Sequence, residues 1–477
     1  MSAHEAGALH APGYGGVATV PAWLRPPADV NGLLPTVWAS GVRRRGDGVL
    51  AVGGWSVDAL AAEYGTPAYV LDEVDFRARA AAFRDAFALA FDGLAGADVY
   101  YAGKAFLCRA VAGWLAEDGL CLDVCSGGEL AVALAGGMPA ARLALHGNNK
   151  SVAELERALT AGVGRIVVDS FTEIARVVEI AERLGVVAPV MIRVTVGVEA
   201  HTHEYIATSH EDQKFGLSLA GGQAAQAVRM LLEAGDRVRL LGLHSHVGSQ
   251  IFDTSGFEVS ARRLLSLHAQ VAREHGYEMP EIDLGGGFGI AYTSEHDPLE
   301  PKALAEQLAG IVARECATLG IAVPHVSIEP GRAIAGPSTF TLYTVGTVKP
   351  VQVDASGAVR TYVAVDGGMS DNIRTALYDA DYSCTLASRA SEAPPVLARV
   401  VGKHCESGDV VVRDEFLPGD VAPGDLLAVP ATGAYCRSMA SQYNHVPRPP
   451  VIAVRDGGAR VLVRRETEED LLALDMG

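Results

Sequence analysis

At 477 residues the chain has room for two or three domains, one of which could be a barrel of about 250 residues. Its 39 Lys and Arg against 57 Asp and Glu leave a formal net charge of −18, which argues against a broad electrostatic grip on nucleic acid or an anionic membrane. With 49% hydrophobic and 20% charged residues the composition is globular, and seven scattered cysteines make no disulfide framework.

Residues 1–37 are rich in Gly, Ala and Pro without periodicity, and predict a loose arm or a late-docking segment. Within it, Ala6–Leu24 is as long as a membrane span but is interrupted by Pro, His and Gly. No basic start precedes an apolar block, so no signal peptide is expected, and the thiols are expected reduced in the cytoplasm. Residues 38–78 hold short strands, among them Ala68–Leu71 after the Gly65-Thr66-Pro67 turn.

From 79 to 336 eight apolar runs alternate with helical patterns. The runs are Asp98–Ala102, Cys121–Val124, Arg142–His146, Arg165–Asp169, Val190–Val194, Arg239–Ser245, Glu281–Leu284 and His325–Glu329. Ser151–Glu154 and Ser170–Glu173 read as capping boxes that open two of the helices. Eight such units predict an α/β fold with a closed, TIM-like (β/α)8 barrel. From 337 to 477 short strand-like runs lie between Gly and Pro turns, predicting a mainly antiparallel β domain that the strands of 38–78 could join.

In such barrels chemistry gathers at the C-terminal ends of the strands. Here the polar residues gather there: Lys104 after the first run, His146-Gly147-Asn148-Asn149 at the third, Arg193 in the fifth, His244 and His246 at the sixth, and Glu329 and Arg332 at the eighth. Desolvation lowers the pKa of a lysine at the end of an apolar strand, which suits it to condense with a carbonyl; the alternative is a lysine snorkelling at the rim. Gly285-Gly286-Gly287 after the seventh run could bring backbone N–H groups against a phosphate, or be an ordinary turn. Glu329 could pair with a pyridinium nitrogen and Arg332 with an anion, or the two with each other. His244 and His246, two apart, would share a face in a strand, where one ring could stack on a flat cofactor. His201 and His203 supply a second H-x-H, but spacing places no third metal ligand, and no metal is expected. Cys405 and Glu406 in the β domain could face one pocket, as proton donor and as holder of an ammonium group, or be a buried thiol beside a surface turn.

These motifs resemble the diaminopimelate decarboxylases of actinobacterial type, pyridoxal 5'-phosphate enzymes of fold type III (alanine racemase-like). The resemblance runs from about residue 40 to the C-terminus. It rests on Tyr101–Ala105, Cys125–Leu130, His146–Lys150, His244–Gln250, Gly285–Gly287, Glu329–Arg332, Cys405–Asp409 and Gly433–Tyr435. Gly103 departs from the pattern, where Ala is more usual, and is expected to loosen the backbone locally.

The resemblance implies that Lys104 carries the cofactor and that His246 stacks on its ring. It implies that Ser249, Gly285, Gly286, Gly287 and Tyr435 hold the phosphate and that Glu329 pairs with the ring nitrogen. Arg332, Arg374 and Tyr378 would bind the carboxylate at the non-reacting end of meso-diaminopimelate, with Glu406 and Tyr435 also on the substrate. Cys405 and Glu406 would enter from the other subunit of a homodimer, and Cys405 or Lys104 would return the proton that replaces CO2. Independently, Arg374 and Tyr378 are four apart, so on a helical turn they could grip one carboxylate, or Arg374 could simply stack on the tyrosine. Rival readings are decarboxylation of arginine, ornithine or carboxynorspermidine on the same scaffold, a non-catalytic regulator of this fold, and a metal-dependent hydrolase using His201, His203, His244 and His246.

Overall fold

The computed structural model describes residues 20–21, 23–197, 214–352 and 359–477. The chain forms two compact units. One comprises Arg77–Gly289 and Pro298–Ile334. The other takes the chain up to Phe76, Ile290–Asp297 and Ala335–Gly477.

The first unit is a closed barrel. Its strands are β1 (Ala97–Ala102), β2 (Cys121–Val124), β3 (Leu143–Leu145), β4 (Arg165–Val168), β5 (Ala188–Thr195), β6 (Val238–His244), β7 (Glu281–Asp283) and β8 (His325–Ile328). Each pairs in parallel with the next, and β8 closes on β1. β2, β3 and β4 are buried at every position, because barrel strands are covered by side chains within and helices without. Register sets the ends level: His244 lies opposite both Arg193 and Asp283, and Asp283 opposite Ser327. The strands therefore deliver their last polar residues to one layer.

The helix Val152–Ala161 opens with the predicted capping box and ends on a left-handed Gly162. The helix Phe171–Leu184 has only half of the box predicted at Ser170. Ser170 Oγ accepts the Glu173 N–H at 3.2 Å, but the Glu173 carboxylate turns instead to the Asp169 N–H at 2.9 Å and to Lys150 at 2.6 Å. A buried lysine is the stronger partner for it than a backbone amide.

The second unit is built on a mainly antiparallel sheet. In order, its strands are Val410–Pro418, Pro395–Val401, Val359–Val365, Thr339–Gln352, Ala68–Asp72, Val451–Arg455 and Gly458–Val463. Two pairings are parallel, Val359–Val365 with Pro395–Val401 and Ala68–Asp72 with Val451–Arg455. Val37, Trp38, Leu50, Val70, Phe340, Leu342 and Ile452 share one core. The tail of the predicted loose arm is thus docked: Val37 is buried, and the Asn31 side chain exchanges hydrogen bonds with the Ser391 backbone at 2.9 and 2.8 Å. Residues 290–297, which lie within the stretch read as barrel, pack in this second unit. Ala291 joins its core and Tyr292 meets Tyr382 edge-on at 5.1 Å. Among the described residues no helix is long and apolar enough to cross a membrane.

Candidate active site

Lys104 lies two residues beyond β1, where the chain turns against β2. Gly103 makes that turn: its N–H donates to the Asp123 carbonyl at 2.9 Å, and a Cβ added there would sit 2.8 Å from the same oxygen. The glycine expected to loosen this backbone therefore permits a close approach of two strand ends. The Lys104 charge bears on Asp123, Cys125, Glu129 and His246, which places the amine among them.

Glu329 follows β8 and is buried. Its Oε1 is 3.1 Å from His146 Nε2 and 3.3 Å from His244 Nε2, and the two rings meet edge to face at 5.0 Å. Burial alone would push the carboxyl up, but the two histidines outweigh it and hold Glu329 well below the usual carboxylate range. The histidines differ. Burial drives His244 down to about 3, whereas for His146 the nearby Asp123 and Glu329 overcome the burial penalty and raise it. Of the two, His146 is thus the one its surroundings push toward the charged form, and His244 the one held neutral. Among the described residues these three are also the one group whose ligand atoms could close on a metal ion. His246 is not in that group. His201 and His203 lie outside the described residues.

His246, half-buried just past β6, is kept neutral by burial and by the Lys104 and Arg193 charges. Its Nδ1 accepts the Gly286 N–H at 3.2 Å. The three glycines are packed too tightly for side chains. A Cβ on Gly285 would run into the Ser245 carbonyl, on Gly286 into that of Glu329, and on Gly287 into that of Gly248. Gly285 (φ +71°) and Gly287 (φ +109°) also need the left-handed region. Phe288 anchors the turn, stacked between Phe83 at 5.8 Å and Phe257 at 5.2 Å. Ser249 Oγ accepts from Arg332 Nη2 at 2.9 Å, so these two predicted site residues meet.

The remaining predicted residues belong to the second unit. Arg374 is buried, donates to the Tyr382 hydroxyl and lies 4.7 Å from the centre of the Tyr292 ring. Tyr378, on the same five-residue helix Arg374–Tyr378, turns its hydroxyl to Met439 Sδ at 4.0 Å, so the two side chains take different neighbours. Tyr435 holds a left-handed backbone (φ +66°), a conformation that costs a non-glycine residue of order 1–3 kcal/mol. Cys405 and Glu406 are both exposed, and Cys405 is the only exposed one of the seven cysteines. Their loop is fixed by Asp409, whose carboxylate accepts the Met369 N–H at 2.6 Å and the His404 N–H at 2.7 Å.

Comparison with known proteins decides the family. The pyridoxal-binding domain of the pyridoxal-dependent decarboxylases matches residues 74–336. The diaminopimelate decarboxylase of Mycobacterium bovis is 56% identical over 448 residues, covering 93% of this chain and 98% of that protein. The Mycobacterium leprae diaminopimelate decarboxylase is 54% identical, with full coverage of both. The chain belongs to the diaminopimelate decarboxylases. In three dimensions, the diaminopimelate decarboxylase of M. jannaschii in complex with L-lysine superposes with a TM-score of 0.85 at 31% identity, covering 92% of this chain and 98% of that one. The cofactor is pyridoxal 5'-phosphate.

The barrel residues fit that cofactor of the diaminopimelate decarboxylases. Glu329 Oε1 is buried and, among the described residues, lacks a well-directed hydrogen bond, while its charge is maintained. Such a carboxylate could hold a protonated ring nitrogen. The turn's three successive residues without a Cβ, two of them in the left-handed region, suit a backbone that curls closely around a phosphate.

Two buried contributors to this diaminopimelate decarboxylase site escaped the sequence reading. Lys150 places all three of its protons, on the Gly147 and Val167 carbonyls at 2.7 and 2.6 Å and on Glu173, and so ties the His146 loop to β4. Arg165 opens β4 and is fully buried inside the barrel. An arginine amid the apolar run at 165–169 was the available signal.

Proposed function

We infer that the chain removes CO2 from meso-2,6-diaminopimelate and releases L-lysine, the closing step of lysine biosynthesis. The observation that carries the reading is the ionised Glu329, held by His146 and His244 at the end of a closed barrel that also carries Lys104. Bound there, pyridoxal phosphate supplies the sink for the electron pair that CO2 leaves behind.

The chain's residues do the rest. Lys104 is the attachment point and Glu329 keeps the ring nitrogen protonated. His246, uncharged, offers its ring face. Ser249, the Gly285–Gly287 turn and Tyr435 hold the phosphate. Arg332, Arg374 and Tyr378 select a substrate with a second carboxylate, Tyr435 also touches the substrate, and Glu406 takes the distal ammonium group. Cys405, or Lys104, delivers the proton to the carbon that lost CO2. The exposure of Cys405 and Glu406 supports a homodimer in which each subunit completes the other's site.

The test is L-lysine formation from meso-diaminopimelate by the purified protein with added pyridoxal phosphate, against arginine, ornithine and carboxynorspermidine as competing substrates. Lysine release with the other three unused is the expected result. Cofactor binding without lysine would keep the fold and move the substrate to another amino acid.

A further inference from the structure

Arg165 heads the large, fully buried side chains among the described residues. It starts at the foot of β4 and crosses the barrel interior. Its guanidinium lies 3.7 Å from the centre of the Tyr100 ring of β1. Nη2 donates to Asp283 Oδ2 of β7 at 2.6 Å. Nη1 reaches Ser327 Oγ of β8 at 3.1 Å and Glu281 of β7 at 3.3 Å.

Asp283 passes this contact on. Its other oxygen, Oδ1, accepts the Gly285 N–H at 2.8 Å. The Gly285 carbonyl in turn accepts the Glu329 N–H at 2.9 Å. One chain of hydrogen bonds therefore links Arg165 to the first glycine of the turn and to the main chain of Glu329. Gly285 has no freedom to compensate, because its left-handed backbone is wedged against Ser245 and His246.

We propose that Arg165 is a positioning residue for the cofactor site, holding Asp283 in place so that Asp283 fixes the glycine turn and the backbone of Glu329. The proposal rests on the reading above that this turn and Glu329 hold pyridoxal phosphate. The chemistry favours a guanidinium here. Asp283 is buried and feels the Glu329 charge, and both raise it, to about 7, even with Arg165 beside it. Without Arg165 the carboxyl would take a proton or leave its place, and the Gly285 N–H would lose a charged acceptor.

A brace that served stability alone would lower the melting temperature and leave the cofactor affinity of the folded protein unchanged. The experiment therefore measures the dissociation constants of pyridoxal phosphate and of pyridoxal, which lacks the phosphate, by absorbance titration of the full-length protein. Wild type is compared with Arg165→Met, Arg165→Lys and the double variant Arg165→Met/Asp283→Asn, each confirmed folded by circular dichroism. Arg165→Met is expected to weaken pyridoxal phosphate by roughly 10–100-fold, the range that loss of a supporting hydrogen-bond partner costs at metal sites, and pyridoxal, which lacks the phosphate and keeps only the ring contacts, by less. The double variant, which leaves no unpaired buried charge, is expected to bind no more weakly than the single one, because the two residues act as a unit. Should Arg165→Met fail to fold, Arg165→Lys and the double variant carry the test, with the same loss of phosphate-dependent affinity expected. Wild-type affinity in the folded variants would overturn the proposal. Wild-type protein that binds no pyridoxal phosphate would overturn the reading beneath it instead.

Discussion

A carboxylate can stay ionised when buried beside a charged partner, while removing that partner is destabilising by several kcal/mol. Glu329 shows the first arrangement, with His146 pushed toward the charged form and His244 held neutral. Its folded pKa is depressed, so its contribution to stability is present above its ordinary 4.5 and is lost as pH falls through the folded value. That of His146 is raised, so its contribution is present below 6.5 and is lost as pH rises through its folded value. The cluster should therefore stabilise the fold most between these two ordinary values. Glu329→Gln removes the charge but keeps the shape. We expect kcat to fall by about 100-fold or more, since in the proposed site the ring nitrogen would lose its anionic partner. The melting temperature should drop most near the middle of that window, and the gap to wild type should narrow as pH rises past the folded value of His146. Steady-state kinetics and thermal melts across pH check both; a gap that stays constant with pH would show that His146 is not charged.

Among the elements, the barrel strands were legible in the sequence because burial on both faces leaves largely apolar runs. Cys121–Val124 begins and ends where its run does, and the others differ from theirs by a residue or two. The strand Val410–Pro418 was not legible, because Arg413, Asp414 and Glu415 break its apolar character. Those charges find partners from distant parts of the chain: Asp414 pairs with Arg360 at 3.0 Å, and Glu415 accepts the Cys384 N–H at 3.2 Å. The candidate site was legible as residue types at strand ends, and not as the links that position them. Lys150, Arg165 and Asp409 each also act on a group brought close only by folding, Val167, Asp283 and Met369 respectively, and spacing carries no trace of those links. Gly103 is the sharpest case, because a sequence pattern suggests tolerance of Ala whereas the β1–β2 approach leaves no room for it. Gly103→Ala is expected to cost about 1–3 kcal/mol as the strand ends are forced apart. Because the same shift moves Lys104, cofactor affinity should fall with the melting temperature. Denaturant unfolding and cofactor titration of the variant check this, and unchanged values in both would mean the turn relaxes freely.

For the whole molecule, the question is where the two exposed chemical groups of the β unit act. A thiol and a carboxylate on a surface loop do no chemistry alone, yet Asp409 holds this loop firmly, with two backbone N–H groups on one carboxylate. A loop fixed in this way is preorganised to present Cys405 and Glu406 to something outside its own unit. The proposed occupant is the barrel site of a second copy. Two-fold symmetry then makes two equivalent composite sites, each with Lys104 from one subunit and Cys405 from its partner. Lys104→Ala and Cys405→Ala proteins should each be nearly inactive. Mixed in equal amounts and allowed to exchange subunits, half of the dimers become hybrids with one intact site of two. The mixture should recover about a quarter of wild-type specific activity. If both residues of a site came from one chain, every hybrid site would still carry a defect and mixing would recover nothing. Exchange is verified independently by mass spectrometry of differently tagged subunits, so an inactive mixture with demonstrated exchange would place Cys405 in the site of its own chain or outside catalysis altogether.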